Sequence, residues 1–393
     1  MFEKMDKDFV LHSYGRNYVN FKSASGAVIR DDKDNKYIDL SAGIGVVSVG
    51  HSHPRVTKAI CERAEKIIHV SNLFLIEPQA KLAKKLVELS GYDMRCFFSN
   101  SGAEANEGAI KIARKYGEVE DKPKRYKVIT LEHSFHGRTI STLKATGQES
   151  MHNYFGPFPD GFVYAKDIDD IETLCDDHTV AVMIELIQGE GGVEPLDKDK
   201  VKKLAEFLKK KDILLIVDEV QTGIYRTGEF LASNLYDIEP DIVTIAKGLG
   251  GGVPIGAVMT TLKDIFKPGD HGSTFGGNYL VCSVALEVLD ILEEYKNSGG
   301  LDEAMIAFHN SLKNISKQYP QIVEKEVGFG FMRGLRIKDS DTLAKILESA
   351  FKERVLVLKA GRNTLRFLPP LTISKEELDE GIKRVENAFS SLS

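Results

Sequence analysis

Between residues 96 and 245 the chain carries five short apolar runs: Cys96-Phe97-Phe98, Lys127-Val128-Ile129-Thr130, Val180-Ala181-Val182-Met183-Ile184, Ile213-Leu214-Leu215-Ile216-Val217 and Ile242-Val243-Thr244-Ile245. The last four are rich in β-branched residues and do not alternate with polar ones, which suits strands buried on both faces of a parallel sheet. Amphipathic stretches separate several of them. The pattern predicts helices from Pro54 to Val70, Gln79 to Leu89, Ala103 to Tyr116 and Val201 to Lys210, with Pro54 early in its helix, where a missing N–H costs nothing. Alternating strands and helices of this kind define an α/β architecture.

The two flanks read differently. The first fifty residues suggest short strands and turns, including Ala27-Val28-Ile29-Arg30 and Lys36-Tyr37-Ile38-Asp39-Leu40. After about Tyr279 a long helix (Val281 to Tyr295) leads into helix, strand, helix, strand and a last helix. That helix opens on Ser374-Lys375-Glu376-Glu377, a capping box. A chain of 393 residues exceeds the roughly 250–300 that one core supports. The expected division is a large α/β domain over 51–278, with 1–50 and 279–393 together forming a smaller α+β domain.

Composition narrows the function. Charged residues make up 28% of the chain, with 52 Lys plus Arg against 58 Asp plus Glu and no long block of one sign. That argues against a nucleic-acid surface and confines any phosphate recognition to a local site. The four cysteines, Cys61, Cys96, Cys175 and Cys282, are scattered without a C-x-x-C pair, which points to a reducing compartment rather than a disulfide framework or cysteine-built zinc site. The start, Met1 to Asp8, lacks the apolar core of a signal peptide, and no stretch approaches the roughly 20 apolar residues that span a bilayer. A cytoplasmic protein without membrane association is expected.

Candidate chemistry sits where the predicted strands end, since ligands of open α/β sheets bind beyond the carboxyl ends of the strands. Ser99-Asn100-Ser101-Gly102-Ala103-Glu104-Ala105-Asn106 joins a strand to a helix, and free N–H groups at a helix start suit a phosphate. A serine N-cap beside a turn glycine would look the same. Asp218, opening Asp218-Glu219-Val220-Gln221-Thr222-Gly223, directly follows an apolar run, so its carboxylate needs a partner or costs several kcal/mol; a solvated acid is the plain alternative. Lys247 ends another apolar run and enters Gly248-Leu249-Gly250-Gly251-Gly252. A desolvated lysine with a depressed pKa is what imine formation with an aldehyde requires, although a snorkelling lysine fits the same spacing. His133 and His136 in His133-Ser134-Phe135-His136-Gly137-Arg138 lie three apart, but no third ligand is apparent, so no metal is expected. Asp218 and Lys247 end successive predicted strands and so share one edge of a parallel sheet. An acid, a lysine and a phosphate-binding helix start are together what pyridoxal phosphate needs.

These segments, with Gln188-Gly189-Glu190-Gly191-Gly192, Arg226-Thr227-Gly228 and Gly272-Ser273-Thr274-Phe275-Gly276-Gly277-Asn278, resemble the class III, ornithine-type aminotransferases of fold type I over nearly the whole chain. The resemblance implies a mostly parallel seven-stranded sheet flanked by helices, plus a small domain from both termini. It also implies pyridoxal 5'-phosphate held on Lys247, which then shuttles a proton, with Asp218 on the ring nitrogen. Gln221 would bond the phenolic oxygen and Phe135 would stack on the ring. Glu219 and Val220 are expected around the cofactor, and Ser101, Gly102 and Ala103 at its phosphate. Thr274 would reach the cofactor of a second copy in a homodimer. Arg138 and Arg366 are expected at substrate carboxylates and Ser273 at the bound substrate, with Glu190 pairing Arg366 when no diacid is bound. Ala42-Gly43-Ile44-Gly45-Val46, Val70-Ser71-Asn72-Leu73-Phe74 and Leu365-Arg366-Phe367-Leu368-Pro369-Pro370-Leu371 resemble members that act on N2-acetyl-L-ornithine with 2-oxoglutarate and L-glutamate as the second pair. Other ω-amino donors remain open at this stage.

Overall fold

A computed structural model describes residues 2–118 and 122–392; Met1 and Ser393, the ends of the two expected flanking segments, lie outside that range. Its centre is a seven-stranded sheet in the spatial order Arg95–Ser99, Gly256–Thr260, Ile242–Ile245, Leu214–Asp218, Thr179–Ile184, Lys127–Leu131, Phe162–Ala165. Gly256–Thr260 runs antiparallel to both of its neighbours, and the remaining strands are parallel. All five apolar runs are strands of this sheet. The two strands that the pattern does not predict are Phe162–Ala165, a half-buried edge, and Gly256–Thr260, whose glycine start merges with the glycine-rich stretch before it.

The uninterrupted apolar character of the central strands follows from double-sided burial. Ile129, Val182, Ile184, Leu215 and Val217 join one buried cluster, while Val128, Ala181, Met183, Leu214 and Ile216 join another on the opposite face. Neighbours in sequence therefore feed different cores, as a side-chain period of two demands. Each of these side chains larger than alanine contributes about 1.5–3 kcal/mol on burial.

The first long helix, Pro54–Ala64, stops short of the expected Val70. Beyond it the chain runs to Asn72, whose side-chain amide donates to the carbonyls of Ser273 (3.0 Å) and Gly276 (2.9 Å). Continuing the helix would forfeit that tether. Strands Phe21–Ser25, Val28–Asp31 and Lys36–Asp39 join Val355–Leu356 in one four-stranded sheet, so the two ends of the chain meet. A second four-stranded sheet holds Val323–Phe329, Met332–Ile337, Thr364–Phe367 and Leu358–Ala360. The C-terminal part is thus richer in strands than its pattern suggests. The last helix, Lys375–Ser390, has the expected box: Ser374 Oγ accepts from Glu377 N, and the Glu377 carboxylate accepts from Ser374 N. Glu377 also accepts from Ala27 N at 2.9 Å, fastening this helix to the N-terminal sheet. Among the described residues no helix is long and apolar enough to cross a membrane.

Candidate active site

A cavity of about 460 Å³ opens beyond the carboxyl ends of the central strands. Lys247 enters it two residues past strand Ile242–Ile245, at the start of a short 3-10 turn, Lys247–Leu249. Its backbone takes φ +41°, a left-handed conformation that a side-chain-bearing residue rarely adopts. Among the described residues its amine has no hydrogen-bond or salt-bridge partner. Burial, followed by the positive charge of Arg366, pulls its pKa down from the usual lysine value to about 8.

Asp218 ends the neighbouring strand Leu214–Asp218 and is buried. Its Oδ2 accepts from Asn106 Nδ2 at 2.8 Å and from His136 Nδ1 at 2.9 Å, and its Oδ1 accepts from Val220 N at 3.0 Å. Three donors compensate the desolvated carboxylate and fix its direction. On the next strand Val217 pairs with Ile184, which places Glu185 beside Asp218. Burial, then the Asp218 charge, push the Glu185 pKa well up; Phe135 N donates to its carboxyl at 3.0 Å. Two acids stand together at the cavity floor, and their environments separate their roles.

The helix Gly102–Tyr116 points its N-terminus at the cavity. Ser101 caps it, its Oγ accepting from Glu104 N at 3.2 Å. The N–H groups of Gly102 and Ala103 have no acceptor among the described residues and remain for an anion. A side chain at Gly102 would put its Cβ 2.6 Å from Val220, so only glycine keeps the helix this close to Val220.

Phe135, Val220 and Gln221 line the cavity, and Arg138, exposed, lies with its guanidinium 5.4 Å from the Phe135 ring. On the side of the second four-stranded sheet the buried Arg366 donates to Glu190 at 2.6 Å and to Gln221 at 3.3 Å. Two expected residues stand elsewhere. The Glu219 carboxylate turns away from the cavity and accepts from Ala232 N (2.8 Å), Ser233 N (2.7 Å) and Thr222 Oγ1 (2.6 Å), capping the helix Ala232–Tyr236. Ser273 lies outside the lining, its Oγ accepting from Asn100 Nδ2 and Gly276 N. Thr274 is exposed on the adjoining loop. His133 is also exposed while His136 is committed to Asp218, and among the described residues no three His, Cys, Asp or Glu cluster as metal ligands.

A doubly covered sheet with a lone desolvated lysine, a caged aspartate and an open helix N-terminus at one edge defines a class of enzyme. The chain belongs to the class-III aminotransferase family, whose model matches residues 10–389. It is 60% identical over 393 residues to the acetylornithine aminotransferase of Wolinella succinogenes, covering 100% of both chains. It is similar to the N-acetylornithine aminotransferase structure from Stenotrophomonas maltophilia, with TM-score 0.82, 34% identity and coverage of 96% of this chain and 97% of that one. The ornithine aminotransferase of Toxoplasma gondii, in a structure with partial occupancy of pyridoxal phosphate at its active site, matches with TM-score 0.92 and 35% identity over 99% of this chain and 94% of that one.

The chain is accordingly a pyridoxal-phosphate-dependent aminotransferase. The residues present fit that cofactor. Lys247 offers an unpartnered amine with a lowered pKa, Asp218 a fixed carboxylate, and Gly102 and Ala103 two unfilled N–H groups.

Proposed function

We propose that this enzyme transfers the terminal amino group of N2-acetyl-L-ornithine to 2-oxoglutarate, giving N-acetyl-L-glutamate 5-semialdehyde and L-glutamate, a step of arginine biosynthesis. The observation that carries the reading is the pairing of Arg366 with Glu190 at one side of a cavity that also presents Arg138. One site must accept a donor with a single carboxylate and an acceptor with two. Arg138 binds the carboxylate common to both by a bidentate guanidinium contact. Glu190 neutralises Arg366 while the donor is bound, and releases it to take the second carboxylate of 2-oxoglutarate.

When bound, pyridoxal phosphate supplies an aldehyde that accepts amines and an electron-poor ring that stabilises charge on the amino-bearing carbon. The chain's own groups do the rest. Gly102 and Ala103 N–H, beside Ser101, hold the phosphate. Asp218, kept in place by Asn106 and His136, holds the proton on the ring nitrogen, while Gln221 bonds the phenolic oxygen and Phe135 and Val220 confine the ring. Lys247 Nζ first carries the cofactor and then moves the proton at the amino-bearing carbon, a role that its pKa of about 8 suits. Glu219 supports the site from behind through its helix cap. Ser273 braces the Gly272–Asn278 loop from which Thr274 reaches the phosphate held by a second copy, so the working form is a homodimer. Four unpaired cysteines support a cytoplasmic setting.

The test is the visible spectrum of the holoenzyme during each half-reaction. The cofactor band is expected to bleach with N2-acetyl-L-ornithine and to return with 2-oxoglutarate. A band that ignores this donor but responds to ornithine or 4-aminobutyrate would overturn the substrate assignment.

A further inference from the structure

We propose that Arg336 is a positioning residue for substrate selection: with Thr364 it fixes the turn that carries Glu190, so that the Glu190–Arg366 pair opens by rotation of the Glu190 side chain alone. The proposal rests on the reading of Glu190 and Arg366 given above.

Strands Met332–Ile337 and Thr364–Phe367 are antiparallel neighbours in which Arg336 pairs with Thr364 and Gly334 with Arg366. Directly paired residues share a face, and so do residues two apart on one strand. Arg336, Thr364 and Arg366 therefore project from the same face of the small-domain sheet. That face meets the hairpin formed by Ile187–Gln188 and Glu194–Pro195, whose turn contains Glu190. Arg366 takes the Glu190 carboxylate; its two neighbours take the turn itself. Arg336 Nη2 donates to Gly192 O at 3.1 Å and to Glu194 Oε2 at 2.7 Å, and Arg336 Nε donates to Thr364 Oγ1 at 2.9 Å. The Thr364 hydroxyl donates in turn to Gly192 O at 3.1 Å, and Gly361 N donates to Glu190 O at 2.8 Å.

Both arginine and threonine are buried, so their bonds to each other and to Gly192 O do not compete with water. The turn also has no slack on its other side. A Cβ at Gly191 would lie 2.7 Å from the carbonyl of His133, and one at Gly192, where φ is +119°, 2.8 Å from the carbonyl of Gly361. The backbone from 190 to 192 is thus wedged between the large domain and the strand pair that bears Arg366. The Glu190 side chain, 30% exposed, is the part left free. A fixed backbone keeps the carboxylate within reach of Arg366 whenever no diacid competes for it. A loosened turn would leave Arg366 unneutralised in more molecules, favouring diacids and disfavouring the mono-carboxylate donor.

The experiment compares single-turnover half-reactions of the holoenzyme with N2-acetyl-L-ornithine and with L-glutamate, together with calorimetric titration of glutarate, a diacid that cannot react. Arg336→Met is expected to shift the ratio of half-reaction efficiencies toward glutamate by about 3- to 30-fold and to tighten glutarate binding in the same sense. In a Glu190→Ala background the same substitution should move neither quantity by more than about twofold, because the group being positioned is gone. Thr364→Val, which keeps Arg336 and most of the side-chain volume, should shift the ratio in the same direction by less and stands in if Arg336→Met does not fold. A ratio and a glutarate affinity that stay put in both variants, while Glu190→Ala alone shifts them, would overturn the positioning role and leave the gate intact. An unchanged ratio in Glu190→Ala itself would overturn the gate and this proposal together.

Discussion

The cavity floor and the wall that carries Arg366 both join an acid to nitrogen donors, yet they are anchored in different ways. At the floor, Asp218 is 4% exposed, and its partners Asn106 and His136 come from the helix Gly102–Tyr116 and from the segment just after strand Lys127–Leu131. At the wall, Glu190 is 30% exposed and its partner Arg366 stands on a different sheet, 176 residues along the chain. A carboxylate caged by three donors cannot turn without stranding them; one held by a single guanidinium at a joint can. On the proposed reading, the chemistry common to both substrates sits on the rigid part, and the part that tells the substrates apart sits where two sheets meet.

Substitutions can break this contrast. Asp218→Asn is expected to have the largest effect, lowering the maximal rate of both half-reactions by roughly 10²- to 10⁴-fold. Stopped-flow traces that showed the loss for one substrate only would deny the floor its shared role. Glu190→Ala comes next: the donor half-reaction should fall relative to the glutamate half-reaction by roughly ten- to a hundredfold, the worth of a hydrogen bond to a charged group. The maximal rates themselves should change far less. Smallest for catalysis is Glu219→Gln, next in sequence to Asp218. It should lower unfolding stability by about 1–3 kcal/mol in urea titrations by weakening the cap on Ala232–Tyr236, with the half-reaction ratio unmoved.

That last pair also marks how far the chain can be read without its structure. Asp218 and Lys247 are legible because each interrupts an apolar run at its carboxyl end. Glu185 has the same signature after Thr179–Ile184, but its place beside Asp218 follows from the pairing of Val217 with Ile184, which only the folded sheet supplies. Expecting Glu219 at the cofactor ignores the strand period: a residue next to one that faces the cavity points the other way. Asn106 and His136 lie 112 and 82 residues from the acid they hold, so only the folded sheet brings them together. Nothing in the sequence separates Arg336 from a surface arginine either. The strands of the C-terminal sheet are similarly obscure, since they pair with partners that the local pattern does not contain. The architecture follows from runs and caps, which are local; the support around the site follows from register, which is not.

The left-handed backbone at Lys247 has a consequence for engineering. A non-glycine residue held at φ +41° costs on the order of 1–3 kcal/mol, and an ammonium without a partner in a desolvated cavity adds to it. Glycine at this position would remove both penalties at once. A screen of variants ranked by melting temperature alone would therefore be drawn toward replacing the side chain on which the proposed reaction depends, so that resistance to heat and turnover pull in opposite directions at a single residue.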